Sequence, residues 1–263
     1  MNGAHVPPKK RRITPVLVAI AALIVVAFAG FFVVRARSGG GGAGQPVTTL
    51  PSPTPHTQAT APPAAKWLVV KARGPVAVYR QPSPSAGVRV TLPKINAHGQ
   101  PTVMLVRQTH MIGGLTWYNV WLASRPNGSR GWVRAKGVGT YATVAKIVID
   151  VSARRLSVYR KGMLKGQFPV AVGSTAYPTP TGFFFVNEKV RPLPPDGPFG
   201  VLAIGLSSFQ PKLPSRGSLA IHGTNDGANI GRAISDGCIR MRDADVLKVG
   251  AWVPSGSPVV IDR

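Results

Sequence analysis

The first strongly patterned stretch of the chain is uniformly apolar rather than alternating. Ile13 to Val34, ITPVLVAIAALIVVAFAGFFVV, runs 22 residues without a charge. At ~1.5 Å of rise per residue, a helix of about 20 apolar residues spans the ~30 Å hydrocarbon core of a bilayer. A cleaved signal peptide has a shorter apolar region of ~7–15 residues that ends in small residues. This run ends in FFVVRAR. The pattern therefore predicts an uncleaved transmembrane anchor at 13–34. KKRR at 9–12 makes residues 1–12 a basic tail that the positive-inside rule keeps in the cytoplasm. Arg35 and Arg37 weaken that bias without reversing it. The expected topology is single-pass in the cell membrane, with everything after Val34 extracytoplasmic.

Residues 35–65 lose all patterning. SGGGGAGQPVTTLPSPTPHTQATAPPAA lacks aromatics and is rich in Gly, Pro, Ser and Thr. Such a segment cannot bury enough apolar surface to order itself and reads as a tether. From Trp67 short runs of β-branched and aromatic residues appear: WLVVKARGPVAVYRQPS, TVMLVRQTH, TWYNVWLA and GWVRA, with turn residues such as NGSRG between them. They predict a small all-β unit over 66–140. The succession VAVYRQPS, WYNVWL, GWV resembles a bacterial Src-homology-3-like barrel.

The region 141–263 is again mainly β. Strands are expected at Lys146–Asp150, Arg155–Arg160 and Gly166–Val172, and in TGFFFV, SLAIHG and SPVVID. One helix is expected in DADVLKVGAWV, capped by Asp243, with Val246, Leu247 and Trp252 as its apolar stripe.

Charge changes the picture of the partners. The chain has 32 Lys+Arg against 8 Asp+Glu, a formal net charge of +24, and all eight acids follow residue 140. Residues 66–140 hold eleven Lys/Arg and no acid. Such a field favours anionic partners. The predicted anchor puts this charge outside the cytoplasm, which disfavours nucleic acid and suits anionic wall polymers.

Cys238 is the single cysteine. It is either a buried small hydrophobe or a thiol kept for chemistry. A thiol is mostly protonated at neutral pH, so a nucleophilic cysteine needs a base nearby. His222, sixteen residues upstream at the end of SLAI, is the one histidine in 141–263. Gly237 precedes the thiol, where a residue without Cβ opens the backbone N–H groups to a developing oxyanion. Ser235 can hydrogen-bond across the same turn.

AIHGT followed at this distance by ISDGCIRM resembles the L,D-transpeptidase family, with its YkuD-type catalytic domain. AVGSTAYPTPTGFFFV, GVLAIGL and DADVLKVGAWVPSGSPVVI carry the likeness over 143–262. The resemblance implies a β-sandwich or barrel catalytic domain that cross-links peptidoglycan. Cys238 would be the nucleophile, His222 the general base, and Gly223 would orient the imidazole through its carbonyl. Gly237 and Cys238 would supply oxyanion N–H groups, with Ser235 bracing the loop. Arg240 would brace the loop or meet a substrate carboxylate, with a plain structural ion pair as the alternative, and Asp236 and Thr224 would contact substrate. Asp236 stands where many members have histidine. The implied reaction takes an acyl group from a tetrapeptide stem, expels D-alanine, and passes the acyl group to an amine of another stem as a 3→3 cross-link. It implies no metal or cofactor, and a cysteine acylated by carbapenems. Two rivals remain open: an L,D-carboxypeptidase, in which water resolves the thioester, and a wall-anchored binding protein.

Overall fold

The structure is a computed structural model that describes residues 66–192, 194, 196–213 and 217–263, all within one compact unit, His56–Arg263. The tail, anchor and tether expected at 1–12, 13–34 and 35–65 lie outside the described residues. Among the described residues no helix is long and apolar enough to cross a membrane.

The described part is mainly β. Strands β1 (Trp67–Ala72), β2 (Val76–Tyr79), β3 (Val88–Leu92), β4 (Val103–Ile112), β5 (Leu115–Trp121), β6 (Arg130–Arg134) and β7 (Val138–Thr143) form one sheet in the order β3-β2-β6-β5-β4-β1-β7. Its pairings are antiparallel. Alternation sets the inner face, where Val76 and Val78 of β2 meet Val133 of β6, Val120 and Val70. Strand β3 has no such face: Val88, Arg89, Val90 and Thr91 are all exposed. Its sequence VRVTL does alternate, yet only Leu92 at its end packs against the core.

The second sheet is built from β8 (Ala145–Asp150), β9 (Arg155–Arg160), β10 (Met163–Pro169), β12 (Gly182–Val190), β13 (Ala203–Phe209), β14 (Ser218–His222), β16 (Ile239–Arg240) and β17 (Pro258–Asp262). Their order is β10-β9-β8-β17-β12-β13-β14-β16. A separate parallel pair joins β11 (Val172–Gly173) to β15 (Ala233–Ser235). The strand expected at Gly166–Val172 thus begins earlier and stops at Pro169, and Val172 belongs to the next pair. Helix α1 (Asp243–Trp252) is present, but Arg242 holds its N-cap position. Asp243 does not cap it. Its carboxylate accepts the Val201 N–H instead (3.3 Å). Leu247 is exposed, because the helix buries Val246, Val249 and Gly250. These lie three or four residues apart on one face, while Leu247 is turned about a quarter-turn away.

Strand β12 explains how the two sheets are joined. In its FFFV run Phe183 is exposed, but Phe184, Phe185 and Val186 are buried and fill both faces. Phe184 and Val186 enter the core with Ile147, Ile149, Val259 and Ile261. Phe185, fully buried, points the other way and packs with Val69, Val103 and Leu105 of the first sheet. Truncating such a phenylalanine to alanine costs about 3–5 kcal/mol, so this shared core ties the two sheets firmly. Polar groups add to it. Glu188 accepts from Asn96 Nδ2 (2.6 Å) and contacts His98 Nδ1 (2.9 Å). Thr143 and Ser257 hydroxyls pair at 2.8 Å, and Tyr141 donates to the Ser255 carbonyl at 2.7 Å.

Candidate active site

Parallel pairing of β14 with β16 assembles the site. The register sets Ile221 opposite Ile239 and His222 opposite Arg240. Side chains alternate along each strand. Ile221 and Ile239 therefore fall together into the core, both fully buried. The other face then takes His222 and Arg240. Cys238 stands at the end of the turn that leads into β16, near enough for the Arg240 charge to act on it as it does on His222.

His222 is 2% exposed. Its Nδ1 meets the Gly223 carbonyl at 2.5 Å. A carbonyl only accepts, so Nδ1 carries the proton and Nε2 keeps its lone pair. Burial pushes the imidazole pKa down to about 4; the Gly223 hydrogen bond and the Asp243 carboxylate act upward, and the Arg240 guanidinium downward. The ring is neutral at pH 7. Gly223 is required where it stands, because a Cβ there would run into Asp243 Oδ1. The Phe199 ring lies edge-on to the imidazole, centroids 5.0 Å apart, and is itself half exposed.

Cys238 is partly buried and unpaired. Burial pushes its thiol pKa up, and Asp236 adds slightly to that; the Ala220 backbone N–H and Arg240 pull it down. The upward effects win. Both shifts favour the uncharged forms, a thiol at Cys238 and a neutral imidazole at His222.

The turn before Cys238 is tied by side chains. Ser235, 1% exposed, accepts the Gly237 N–H (3.1 Å) and donates to the Cys238 carbonyl (2.6 Å). The Gly237 N–H is thus engaged in the resting site. Gly237 has φ of +110°, a region in which residues with a Cβ are strained. Thr179, buried, accepts the Gly173 N–H (2.8 Å) and donates to the Gly237 carbonyl (2.9 Å).

The remaining expected contacts fall at different distances from this centre. Arg240 is half-buried, with Nε buried and lacking a hydrogen-bond partner among the described residues. Its charge acts on both His222 and Cys238. Asp236 is exposed. Thr224 is buried, and its hydroxyl accepts the Asp226 N–H (3.1 Å), which ties it to its own turn. Sequence reasoning assigned no role to Thr179, Phe199 or Gln210, and gave Asp243 a helix cap instead of its place beside Gly223 and Val201. Thr179 lies in the quoted TPTG segment, so a signal for it was present. Phe199 stands between Pro198 and Gly200 in a turn-rich loop, where an exposed aromatic is the one available clue.

The chain is similar to known L,D-transpeptidases. The family model described as the L,D-transpeptidase catalytic domain, YkuD, matches residues 145–261. The YkuD protein of Bacillus subtilis (strain 168), named as an L,D-transpeptidase, is 36% identical over 123 residues, which cover 47% of this chain and 69% of that protein. The corresponding protein of Bacillus licheniformis is 38% identical over 117 residues, covering 44% of this chain and 64% of that one. Among solved structures, L,D-transpeptidase 3 from Mycobacterium tuberculosis is similar at 18% identity with a TM-score of 0.41, over 62% of this chain and 92% of that one. The family match begins at the start of the second sheet and leaves the first sheet outside it.

Proposed function

This chain belongs to the YkuD family of L,D-transpeptidases, and we propose that Cys238 and His222 carry its acyl transfer on peptidoglycan stem peptides. The observation that supports this reading is that Arg240, set opposite the tautomer-fixed His222 by the β14–β16 register, acts electrostatically on both the imidazole and the lone thiol, so the two share one neighbourhood. The Cys238 sulfur attacks the carbonyl of the third stem residue, and its proton passes to His222 Nε2. The C–N bond to the terminal D-alanine breaks, and the same proton leaves on the departing amine. An amine of a second stem then attacks the thioester. Its proton goes through His222 back to the sulfur, and a 3→3 cross-link remains. The Cys238 N–H stabilises the oxyanion, as a backbone donor aimed at developing charge does. The Gly237 N–H joins it only if Ser235 releases it. The half-buried Arg240 guanidinium, whose charge acts on both His222 and Cys238, supplies positive charge beside the reacting groups.

The test is mass spectrometry of products from a purified disaccharide-tetrapeptide. A cross-linked dimer with released D-alanine supports transpeptidation. Tripeptide and D-alanine without dimer would make water the acceptor and the chain an L,D-carboxypeptidase.

We place the catalytic unit on the wall side of the cell membrane, anchored by 13–34 and tethered by 35–65. The uncharged run and KKRR support this. Protease protection in spheroplasts tests it: a catalytic unit resistant to added protease would contradict it. The first sheet, read as a Src-homology-3-like barrel, is proposed to hold anionic wall polymer. Its eleven cations without an acid support this, as does an open concavity of about 210 Å³ lined in part by Tyr79, Arg134 and Lys136. Retention on wall that does not weaken with salt would contradict it.

A further inference from the structure

We propose that Gln210 is a positioning residue for the nucleophile turn, and that the first sheet holds Gln210 in place. The N-terminal half then contributes to turnover without meeting the reacting atoms. This inference rests on the reading of Cys238 as the nucleophile.

The turn at 236–238 lies outside the strand ladder, so its placement depends on what packs beneath it. Gly237 is where the chain bends, and a Cβ there would come within 2.7 Å of Gln210 Nε2 and 3.2 Å of Leu219 Cδ2. Gln210 is 1% exposed. Its Nε2 donates to two carbonyls, Pro178 (3.0 Å) and Asp236 (3.4 Å), and its Oε1 accepts the Lys212 N–H (3.3 Å). One buried amide therefore links the loop before Thr179 to the residue two positions ahead of the thiol. A buried amide has no solvent to replace a lost partner, so these bonds constrain position strongly.

Gln210 follows directly on the end of β13, and that end is gripped from the other sheet. Asn127 Nδ2 donates to the Phe209 carbonyl (2.9 Å), and Asn127 Oδ1 accepts the Phe209 N–H (2.8 Å). These are the two bonds a neighbouring strand would make, made here by one side chain. Arg125 adds Nη1 to the Gln210 carbonyl (3.3 Å) and Nη2 to the Leu213 carbonyl (3.0 Å), with its guanidinium 4.9 Å from the Phe209 ring centre. The chain of contacts is continuous. It runs from the loop holding Arg125 and Asn127, through the backbone of Phe209 and Gln210, along the Gln210 amide, to the carbonyl of Asp236. Gly237 and Cys238 follow it.

Acyl transfer requires the sulfur and the oxyanion donor in near-attack geometry, and a displacement of about 1 Å costs about 100-fold. Loosening this buttress should therefore lower kcat and leave substrate affinity alone. The test uses the full chain in detergent with the disaccharide-tetrapeptide. Three variants are compared: Gln210→Glu, which keeps the shape but replaces the donor by an acceptor; Asn127→Ala, which removes both bonds to Phe209; and Asn127→Asp, which keeps the one from the Phe209 N–H. Measured are kcat, KM, the thermal midpoint, and alkylation of Cys238 by iodoacetamide, which needs a thiol but no oxyanion geometry. The expected result is a fall in kcat of about 10- to 100-fold for Gln210→Glu and Asn127→Ala. KM and alkylation stay nearly unchanged, and Asn127→Asp lies between wild type and Asn127→Ala. An unchanged kcat in folded Asn127→Ala, with only a lower thermal midpoint, overturns the inference. So does a raised KM at constant kcat. A wild-type chain that forms no acyl adduct at Cys238 would instead remove the reading of the nucleophile on which this rests.

Discussion

His222 and Cys238 are held by different means. The histidine belongs to a strand: its neighbour Ile221 is locked in the core, its partner Arg240 is fixed by register, and its Nδ1 rests on the next residue's carbonyl. The cysteine follows a turn outside the ladder, and the supports of that turn are side chains, one from the turn's own start and two from distant parts of the chain. Ser235, Thr179 and Gln210 each reach a backbone group between Asp236 and Cys238. A base on a ladder is robust to substitutions elsewhere. A nucleophile on a turn inherits the precision of whatever holds it, so the two halves of one catalytic pair should respond to different sets of mutations.

The sharpest separation comes from removing the base itself. His222→Ala should leave the fold intact, since the ladder does not need the ring, and slow acylation by about two to four orders of magnitude. A stopped-flow loss below tenfold would make His222 structural. Thr179→Val probes the other side of the comparison. It strips the partners from the Gly173 N–H and the Gly237 carbonyl at nearly constant volume. Acylation should fall by about 10- to 100-fold, with about 1–3 kcal/mol of stability lost by denaturant titration. Unchanged acylation would show that the turn does not depend on this support.

Much of the base side could be read in the sequence. SLAIH alternates, and the alternation delivers His222 to the face opposite Leu219 and Ile221. The cysteine was legible because it is single and follows a glycine. Of its supports Ser235, in the same turn, was legible too; the distant ones were not. Thr179 reaches a carbonyl 58 residues away and Gln210 one 26 residues away, and hydrogen bonds to backbone leave no periodic trace. Phe185 was hidden for a related reason. In FFFV no alternation marks which ring faces which sheet, so the core shared by the two sheets was invisible. Strand β3 was not read although VRVTL alternates, and in the fold it meets the core only through Leu92.

Acidity should distinguish the pair further. The His222 pKa is lowered on folding, so the unfolded chain takes up the proton first. Stability from this group is complete above pH 6.5 and is lost as pH falls from 6.5 towards 4. The loss is about 3 kcal/mol at most. Denaturant titrations at pH 7 and pH 4.5 should show a gap that His222→Gln narrows; an equal gap in both would place the acid sensitivity elsewhere. For the same reason kcat/KM should hold to well below pH 6.5. An acid limb at 6.5 would mean that the imidazole is not desolvated in the free enzyme.

The smallest effect is expected at Asp236. It is exposed, and it raises the Cys238 pKa less than burial does. Asp236→Asn should therefore speed iodoacetamide alkylation near neutral pH, by less than about fivefold. Superimposable pH profiles would remove Asp236 from the electrostatics of the thiol.

The account stands most directly on Cys238 as the acylated atom. Intact-mass and peptide-mapping spectrometry of the full chain after incubation with a carbapenem would test it. The predicted result is a single adduct on the peptide that contains Cys238, formed by wild type and absent from Cys238→Ala. An adduct of equal yield in Cys238→Ala, or one mapped to another residue, would contradict it.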